Sequence, residues 1–574
     1  MICNLAGTPQ VWIVGVNGGW PSLATSTTDE VTSVYWSPTQ DWLAFSEAPG
    51  GGLNEQTYIV RPDGSQLQRI TTNDKADNWL NGWSGDGKEL LIESNMSGGI
   101  GMDVYLVDPF TRTFKLSSRN EGTGEYAEVT EDHRFALLRR LHERGNDDLY
   151  LVNLGNGQET LLTEHSGTAQ PSGNMTLNGN AIYASSDIDL ELGAFIRIRI
   201  SENGKPGPPE VIASRKDAEL QSAVPNRQGN LVALFWNKDG RTELTFFHPQ
   251  TGRITPGPSL PTELADPDEL SFSPDGKLLA LTLSGSTSAP NIWILDLHSM
   301  QLRQISFSNH PGVDLEHLIR PTLVGYKASD GLGLSGWLYL PKSGTKPYPL
   351  VVSIHGGPET QEVPSFHSDY QVLLAEGIAV FAPNIRGSAG FGKTFVNLDN
   401  GSLRVNAVRD VRDTVNYLIS VRDADPKHVG IMGGSYGGYM TMAALAEYPD
   451  LFAAGVDMYG IVNFETFFKN TEPWMAAVSK MEYGDPATQA SLLRDLSPIH
   501  KLDRIKAPTL VLHGDHDTNV PVNEAEQVVA GLKQHGVPVQ YVLFPGEGHG
   551  WSMTSTRIQS NLLIADWFHR YLQP

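Results

Sequence analysis

Ile431–Met440 reads IMGGSYGGYM. A short apolar run, KHVGIMGG at Lys427–Gly434, leads into it, and YMTMAALAEY at Tyr439–Tyr448 leaves it with helical spacing of its apolar residues. The stretch is therefore a strand, a tight turn and a helix. Gly433-Gly434-Ser435-Tyr436-Gly437 fits the G-x-S-x-G pattern, in which a sharp turn presents the serine hydroxyl at the head of the helix. Such a turn tolerates only small flanking residues, and Gly433, Gly434, Gly437 and Gly438 supply them. Ser435 is the candidate nucleophile.

Outward from this turn the same grammar repeats. PLVVSIHGG at Pro349–Gly357, GIAVFAPN at Gly377–Asn384 and APTLVLHG at Ala507–Gly514 are short apolar runs that end in turn residues. DVRDTVNYLISV at Asp410–Val421 and VNEAEQVVAGLKQH at Val522–His535 have helical periodicity. Strands alternating with helices predict an open, largely parallel sheet. In such a sheet the reactive groups collect beyond the carboxyl ends of the strands.

A serine needs a base to take its proton. FPGEGHGW at Phe544–Trp551 places His549 in a glycine-rich loop after the last predicted strand; His513 and His516 are competitors nearer a strand end. The base needs a carboxylate to hold its tautomer, and TLVLHGDHDTNVPV at Thr509–Val522 offers Asp515 and Asp517. Serine, then acid, then histidine is one of the chain orders in which such a triad occurs. An oxyanion needs N–H donors. The residue after the nucleophile, Tyr436, gives one, and the turn His355-Gly356-Gly357-Pro358 is placed to give another.

The first half follows a different rule. WSPTQDWLAFS at Trp36, WSGDGKELLIES at Trp83 and FSPDGKLLALTL at Phe272 are turn-then-strand units. Weaker copies start at Val129, Met175 and Pro225, so the units recur roughly every 46–50 residues. Hairpin signals such as DVYLVDPFTRTFKLS and NIWILDLHSMQLRQIS follow each unit, and one more, QVWIVGVNGGWPSLAT at Gln10, comes before them all. A period near 47 with about four short strands predicts a β-propeller of about seven blades with an incomplete first blade. The Ser-Pro-Asp-Gly turns are structural. The repeat stops near Ser306, and SNHPGVDLEHLIRPT reads as a linker. The expected division is 1–315, propeller with linker, and 316–574, catalytic domain.

A net charge of −23 argues against a nucleic-acid partner. One cysteine, Cys3, excludes an intramolecular disulfide and a multi-cysteine zinc site, and no HExxH occurs. No metal and no cofactor are expected. Gly387–Thr394, GSAGFGKT, formally fits a phosphate-binding loop, but FVNLDNGSLR after it lacks the helical period that such a loop requires. The opening MICNLAGTPQVWIV has no basic start and long apolar run, and no stretch of about 18 apolar residues is present, so neither a signal peptide nor a membrane span is expected. A cytoplasmic protein is the expectation, and a homo-oligomer is compatible with the sequence.

IHGGP, NIRGSAGFG, GGSYGGYM, HGDHDTNVP and EGHGW, in that order, resemble the prolyl oligopeptidase family of serine peptidases. The chain is most like the acylaminoacyl-peptidase and bacterial oligopeptidase branch. The resemblance implies an α/β-hydrolase domain behind a β-propeller, a triad of Ser435, Asp517 and His549, and a propeller that restricts substrate size. It also implies metal-independent hydrolysis of short peptides or acyl-peptides through an acyl-enzyme. A carboxylesterase with the same triad, or an inactive propeller binding protein, is the alternative. The chain departs from the family in places. It has no Glu-Glu pair of the kind by which the dipeptidyl branch holds a substrate amino terminus. His355 stands where some branches have a tyrosine donor, which points to the Gly357 N–H instead. Asn519 replaces an arginine common in acylaminoacyl peptidases and is expected to meet a substrate carbonyl. MYGIVNFETFFKNTEPW suggests Tyr459, Phe467, Phe468 and Trp474 for an apolar first pocket.

Overall fold

The computed structural model describes residues 1–308, 310 and 312–573; the expected linker includes two residues, Asn309 and Pro311, that lie outside this set. The chain forms two compact units. One comprises Met1–Pro49 and Asn54–Pro311, the other Gly50–Leu53 and Gly312–Pro574.

The first unit is a seven-bladed β-propeller made of one three-stranded and six four-stranded antiparallel sheets, taken in chain order. The three-stranded sheet is the first, Ile2–Cys3, Gln10–Ile13 and Ser22–Leu23. The next runs Glu30–Trp36, Leu43–Ala48, Gln56–Val60 and Gln68–Arg69. First and last blades meet where the Arg303 guanidinium donates to the Val16 carbonyl at 2.8 Å. Apolar cores lie between successive blades. Leu91, Val104 and Leu106 of the third pack with Tyr126, Ala136 and Leu138 of the fourth.

The repeated turns are built alike. Ser84 Oγ donates to Asp86 Oδ1 and accepts from the Glu89 N–H; Ser273 Oγ does the same with Asp275 and Leu278. In the degenerate copy Thr130 takes the serine's place, accepting from the Phe135 N–H and donating to Asp132. His133 there adopts φ 55°, close to the 72° of Gly87 and 68° of Gly276. These side chains close turns.

The second unit is an eight-stranded sheet with helices on both faces. Its strands are β1 (Thr322–Lys327), β2 (Gly333–Tyr339), β3 (Tyr348–Ile354), β4 (Ala379–Asn384), β5 (Ala424–Gly434), β6 (Ala454–Met458), β7 (Thr509–Gly514) and β8 (Val539–Phe544). Their order is β1-β2-β4-β3-β5-β6-β7-β8. All pairs from β4 onward are parallel; β1 and β2 add an antiparallel edge. One face carries α1 (Ser368–Ala375) and α10 (Thr554–Leu572). Leu373, Leu374, Trp567 and Phe568 from these helices form one core with Val351, Val380, Met432, Val456 and Leu510 of the strands. Helices α3 (Arg404–Ser420), α4 (Tyr436–Glu447) and α9 (Asn523–Gln534) pack on strands without joining that cluster, which places them on the other face. The α3 helix starts earlier than its sequence period suggested. Between β4 and α3 the phosphate-loop look-alike leads into only one turn of helix, α2 (Lys393–Val396).

Candidate active site

Ser435 sits between β5 and α4 with φ 56° and ψ −121°. A non-glycine residue held there costs of order 1–3 kcal/mol and persists only where its surroundings over-determine it. They do so here. The Ser435 N–H donates to the Met458 carbonyl on β6 at 3.0 Å, and its carbonyl accepts from Tyr439 on α4. A Cβ at Gly437 would lie 2.0 Å from the Ile354 carbonyl oxygen, and one at Gly433 would lie 2.4 Å from the Gly437 backbone. The helix can approach the sheet this closely only because these positions lack side chains.

The loop after β8 brings His549 to the serine. His549 Nε2 lies 2.9 Å from Ser435 Oγ, and Nδ1 lies 2.8 Å from Asp517 Oδ2. With Nδ1 protonated the ring donates to the carboxylate, and Nε2 accepts from the serine hydroxyl. Asp517 is buried, and its Oδ1 accepts from the Asn519 and Val520 N–H groups at 3.0 and 2.8 Å. Burial alone would raise its pKa. The opposing influence of His549, with hydrogen bonds from His513 and His549, holds it at about 2. Asp515 is differently engaged: its Oδ1 accepts from the Gly546 N–H at 2.7 Å and lies 2.9 Å from Nδ1 of the exposed His516.

His513, the other competitor, is buried behind the acid. Its Nε2 donates to the Val520 carbonyl at 2.8 Å and lies 3.4 Å from Asp517 Oδ2. Beneath the elbow, burial raises the pKa of Asp457 on β6 to about 7.

Gly356 packs against the nucleophile; a Cβ there would lie 3.6 Å from Ser435 Cβ. The glycine turn after β3 and the first residue of α4, Tyr436, therefore flank the serine. His355 holds that turn, its Nε2 bonded to Ser388 Oγ at 2.8 Å. Ser388 belongs to the phosphate-loop look-alike, so that segment serves as a brace for the glycine turn.

The expected pocket residues divide. The Tyr459 ring stands 4.8 Å from the His549 ring and 5.2 Å from Trp551. Phe468 is half-buried against Phe467 at 5.6 Å. Phe467 itself is 1% exposed and packs on Tyr483, so it is a core residue. Trp474 is buried as well. Asn519 is half-buried; its carbonyl accepts from Thr471 Oγ1 at 2.7 Å, and none of the hydrogen bonds among the described residues uses its carboxamide.

Sequence reading missed two groups. Buried Glu547 pins the His549 loop: its Oε2 accepts from the Ser552 N–H and hydroxyl at 2.8 and 2.9 Å, and its Oε1 from the Met553 N–H at 3.2 Å. Its signal was an acid two residues before the candidate base in an otherwise neutral loop. The second group is a buried cluster around Arg404, which has no local pattern. Among the described residues no group of three or more potential ligands could hold a metal ion, and no helix is long and apolar enough to cross a membrane.

Residues 364–574 match the model of the prolyl oligopeptidase family. This segment is a serine peptidase domain of that family. Dipeptidyl aminopeptidase BIII of Pseudoxanthomonas mexicana is 27% identical over 579 residues, covering 96% of this chain and 82% of that protein. The acylamino-acid-releasing enzyme of Arabidopsis thaliana is 32% identical over 233 residues, covering 39% of this chain and 30% of the relative. A solved prolyl endopeptidase structure superposes with a TM-score of 0.85 at 17% identity, over 99% of this chain and 86% of that one, a likeness of fold.

Proposed function

We propose that the protein hydrolyses short peptides or acyl-peptides through an acyl-enzyme, with Ser435 as nucleophile, His549 as general base and Asp517 orienting the histidine. The observation that carries this reading is the unbroken line from Ser435 Oγ to His549 at 2.9 Å and on to Asp517 at 2.8 Å. Ser435 attacks the substrate carbonyl as its proton passes to His549 Nε2. The imidazolium that forms is held by the ionised Asp517. The N–H groups of Tyr436 and Gly357 receive the oxyanion. His549 then returns the proton to the leaving amine, and water repeats the sequence on the acyl-enzyme. Every proton and bond is accounted for by these residues and water, so no metal or cofactor enters the scheme.

Tyr459 and Phe468 supply apolar surface near the reacting bond, and the free carboxamide of Asn519 is available to a substrate carbonyl. A fluorophosphonate tests the assignment. It should label the wild type once per chain and leave Ser435→Ala unlabelled. Labelling that survives the substitution would place the nucleophile elsewhere. Turnover of a peptide anilide against the matching ester separates a peptidase from an esterase.

A further inference from the structure

The two residues assigned as oxyanion donors, Tyr436 and Gly357, are both tied to one buried cation. Arg404, the first residue of α3, is fully enclosed. Its Nη1 donates to Asp399 Oδ2 at 3.0 Å; its Nη2 donates to the Glu482 carbonyl at 2.8 Å and to the Glu482 carboxylate. The guanidinium carbon lies 4.9 Å from the centroids of both the Tyr436 and the Tyr483 rings. Each ring then reaches one side of the nucleophile. The Tyr436 hydroxyl donates to Asp399 Oδ2 at 3.0 Å, which fixes the far end of the residue that follows Ser435. The Tyr483 hydroxyl donates to the Gly357 carbonyl at 3.4 Å.

Burying a guanidinium and two carboxylates costs several kcal/mol per ion, and apolar residues of similar volume commonly replace such groups without loss of stability. Fold stability is thus a poor reason for this cluster. Geometry is a better one. Oxyanion donors must stand about 2.7–3.1 Å from where the charge develops, before it develops. Two backbone N–H groups on separate loops meet that demand only if both loops are held to a common reference. The cluster is such a reference, and it is closely packed: the Asp399 carboxylate occupies the space a side chain at Gly387 would need, 2.4 Å from where a Cβ would stand. We propose that Arg404 is a positioning residue for the oxyanion hole, acting on Tyr436 directly and on Gly357 through Tyr483.

The inference rests on the hydrolase reading above, and its test keeps the two apart. Tyr483→Phe, Arg404→Lys and Arg404→Met are compared with the wild type for kcat, KM, melting temperature and affinity for a peptide boronate. The boronate forms a tetrahedral adduct on the serine and places an oxygen where the oxyanion would be. Tyr483→Phe should lower kcat roughly tenfold and Arg404→Met on the order of 10²-fold, up to the loss of one oxyanion donor, with KM within about twofold. Arg404→Lys, which keeps the charge without the fork, should fall between wild type and Arg404→Met. Boronate affinity should drop by the same factor as kcat/KM, because both report transition-state binding. A purely structural role would lower the melting temperature and leave boronate affinity unchanged, and that result overturns the proposal. So do variants that match the wild type in kcat. If Arg404→Met does not fold, Tyr483→Phe decides, since it removes one hydroxyl and keeps the ring. A wild type that fluorophosphonate fails to label defeats the hydrolase reading instead.

Discussion

Asp515 and Asp517 stand two positions apart on one loop, and chemistry separates them by what their oxygens already hold. Asp517 keeps one oxygen for two backbone N–H groups and the other for His549. It is buried and ionised, as an orienting carboxylate must be to stabilise an imidazolium. Asp515 spends its Oδ1 on Gly546 and on His516, away from the reacting atoms. Asp517→Asn should therefore lower kcat by about 10⁴, as the same change does in a comparable triad, because the amide favours the wrong imidazole tautomer. Asp515→Asn should cost far less, acting only through the loop it braces. Steady-state kinetics on folded variants checks this, and a larger loss at Asp515 would reverse the assignment.

At the scale of elements, the proposed triad is assembled by three strand ends and the loops beyond them: β5 for the serine, β7 for the acid and β8 for the histidine. All three were legible in the sequence because a short apolar run and a glycine-rich turn are local signals. The strands at Pro349–Gly357 and Gly377–Asn384 were legible for the same reason. What stayed hidden depends on contacts far apart in sequence. Arg404 meets Glu482, and no spacing rule links them. Phe467 and Trp474 are buried, and an aromatic after a strand end reads alike whether it faces solvent or core. Arg404's helix began before its apolar period did, for the buried face there is made by a charged residue. The His549 loop is the element most dependent on one side chain. Glu547 satisfies three donors of the loop at once. Glu547→Ala leaves those buried donors without partners, each costing about 1–3 kcal/mol. The loop should loosen and kcat should fall more than tenfold, whereas Glu547→Gln, which keeps an acceptor, should retain more activity. Equal loss in both variants would mean that charge, and not acceptance, holds the loop.

The whole molecule consists of two units with separate cores, one a contiguous layer on the hydrolase sheet and the other a series of packings between blades. Chains built this way do not unfold as one two-state system, and calorimetry should resolve two transitions. A fluorophosphonate adduct on Ser435 should shift only the hydrolase transition, which identifies the other as the propeller. The propeller transition should also answer to pH. Two propeller carboxyls, Glu47 and Glu93, are 6% and 4% exposed. Burial, aided by neighbouring Asp29 and Glu125 respectively, pushes their pKa values up to about 7 and about 8. An acid whose pKa is higher in the folded chain keeps its proton after the unfolded chain has released it. Its contribution is therefore greatest below about pH 4.5 and declines as pH rises toward 7 or 8, by at most about 1.4 kcal/mol per pH unit for each such group. In the hydrolase unit Asp457, Glu482 and Glu524, among other buried carboxyls, act in the same direction, and Asp517 acts oppositely, losing its stabilising effect only as pH falls toward about 2. Between pH 5 and 8 the propeller transition should thus move down as pH rises. Glu93→Gln removes one of the protons involved. It should flatten the pH dependence of the propeller transition and leave that of the hydrolase transition as it was. A propeller transition that rises between pH 5 and 8, or a Glu93→Gln variant with an unaltered slope, would show that these carboxylates are already ionised in the folded blades.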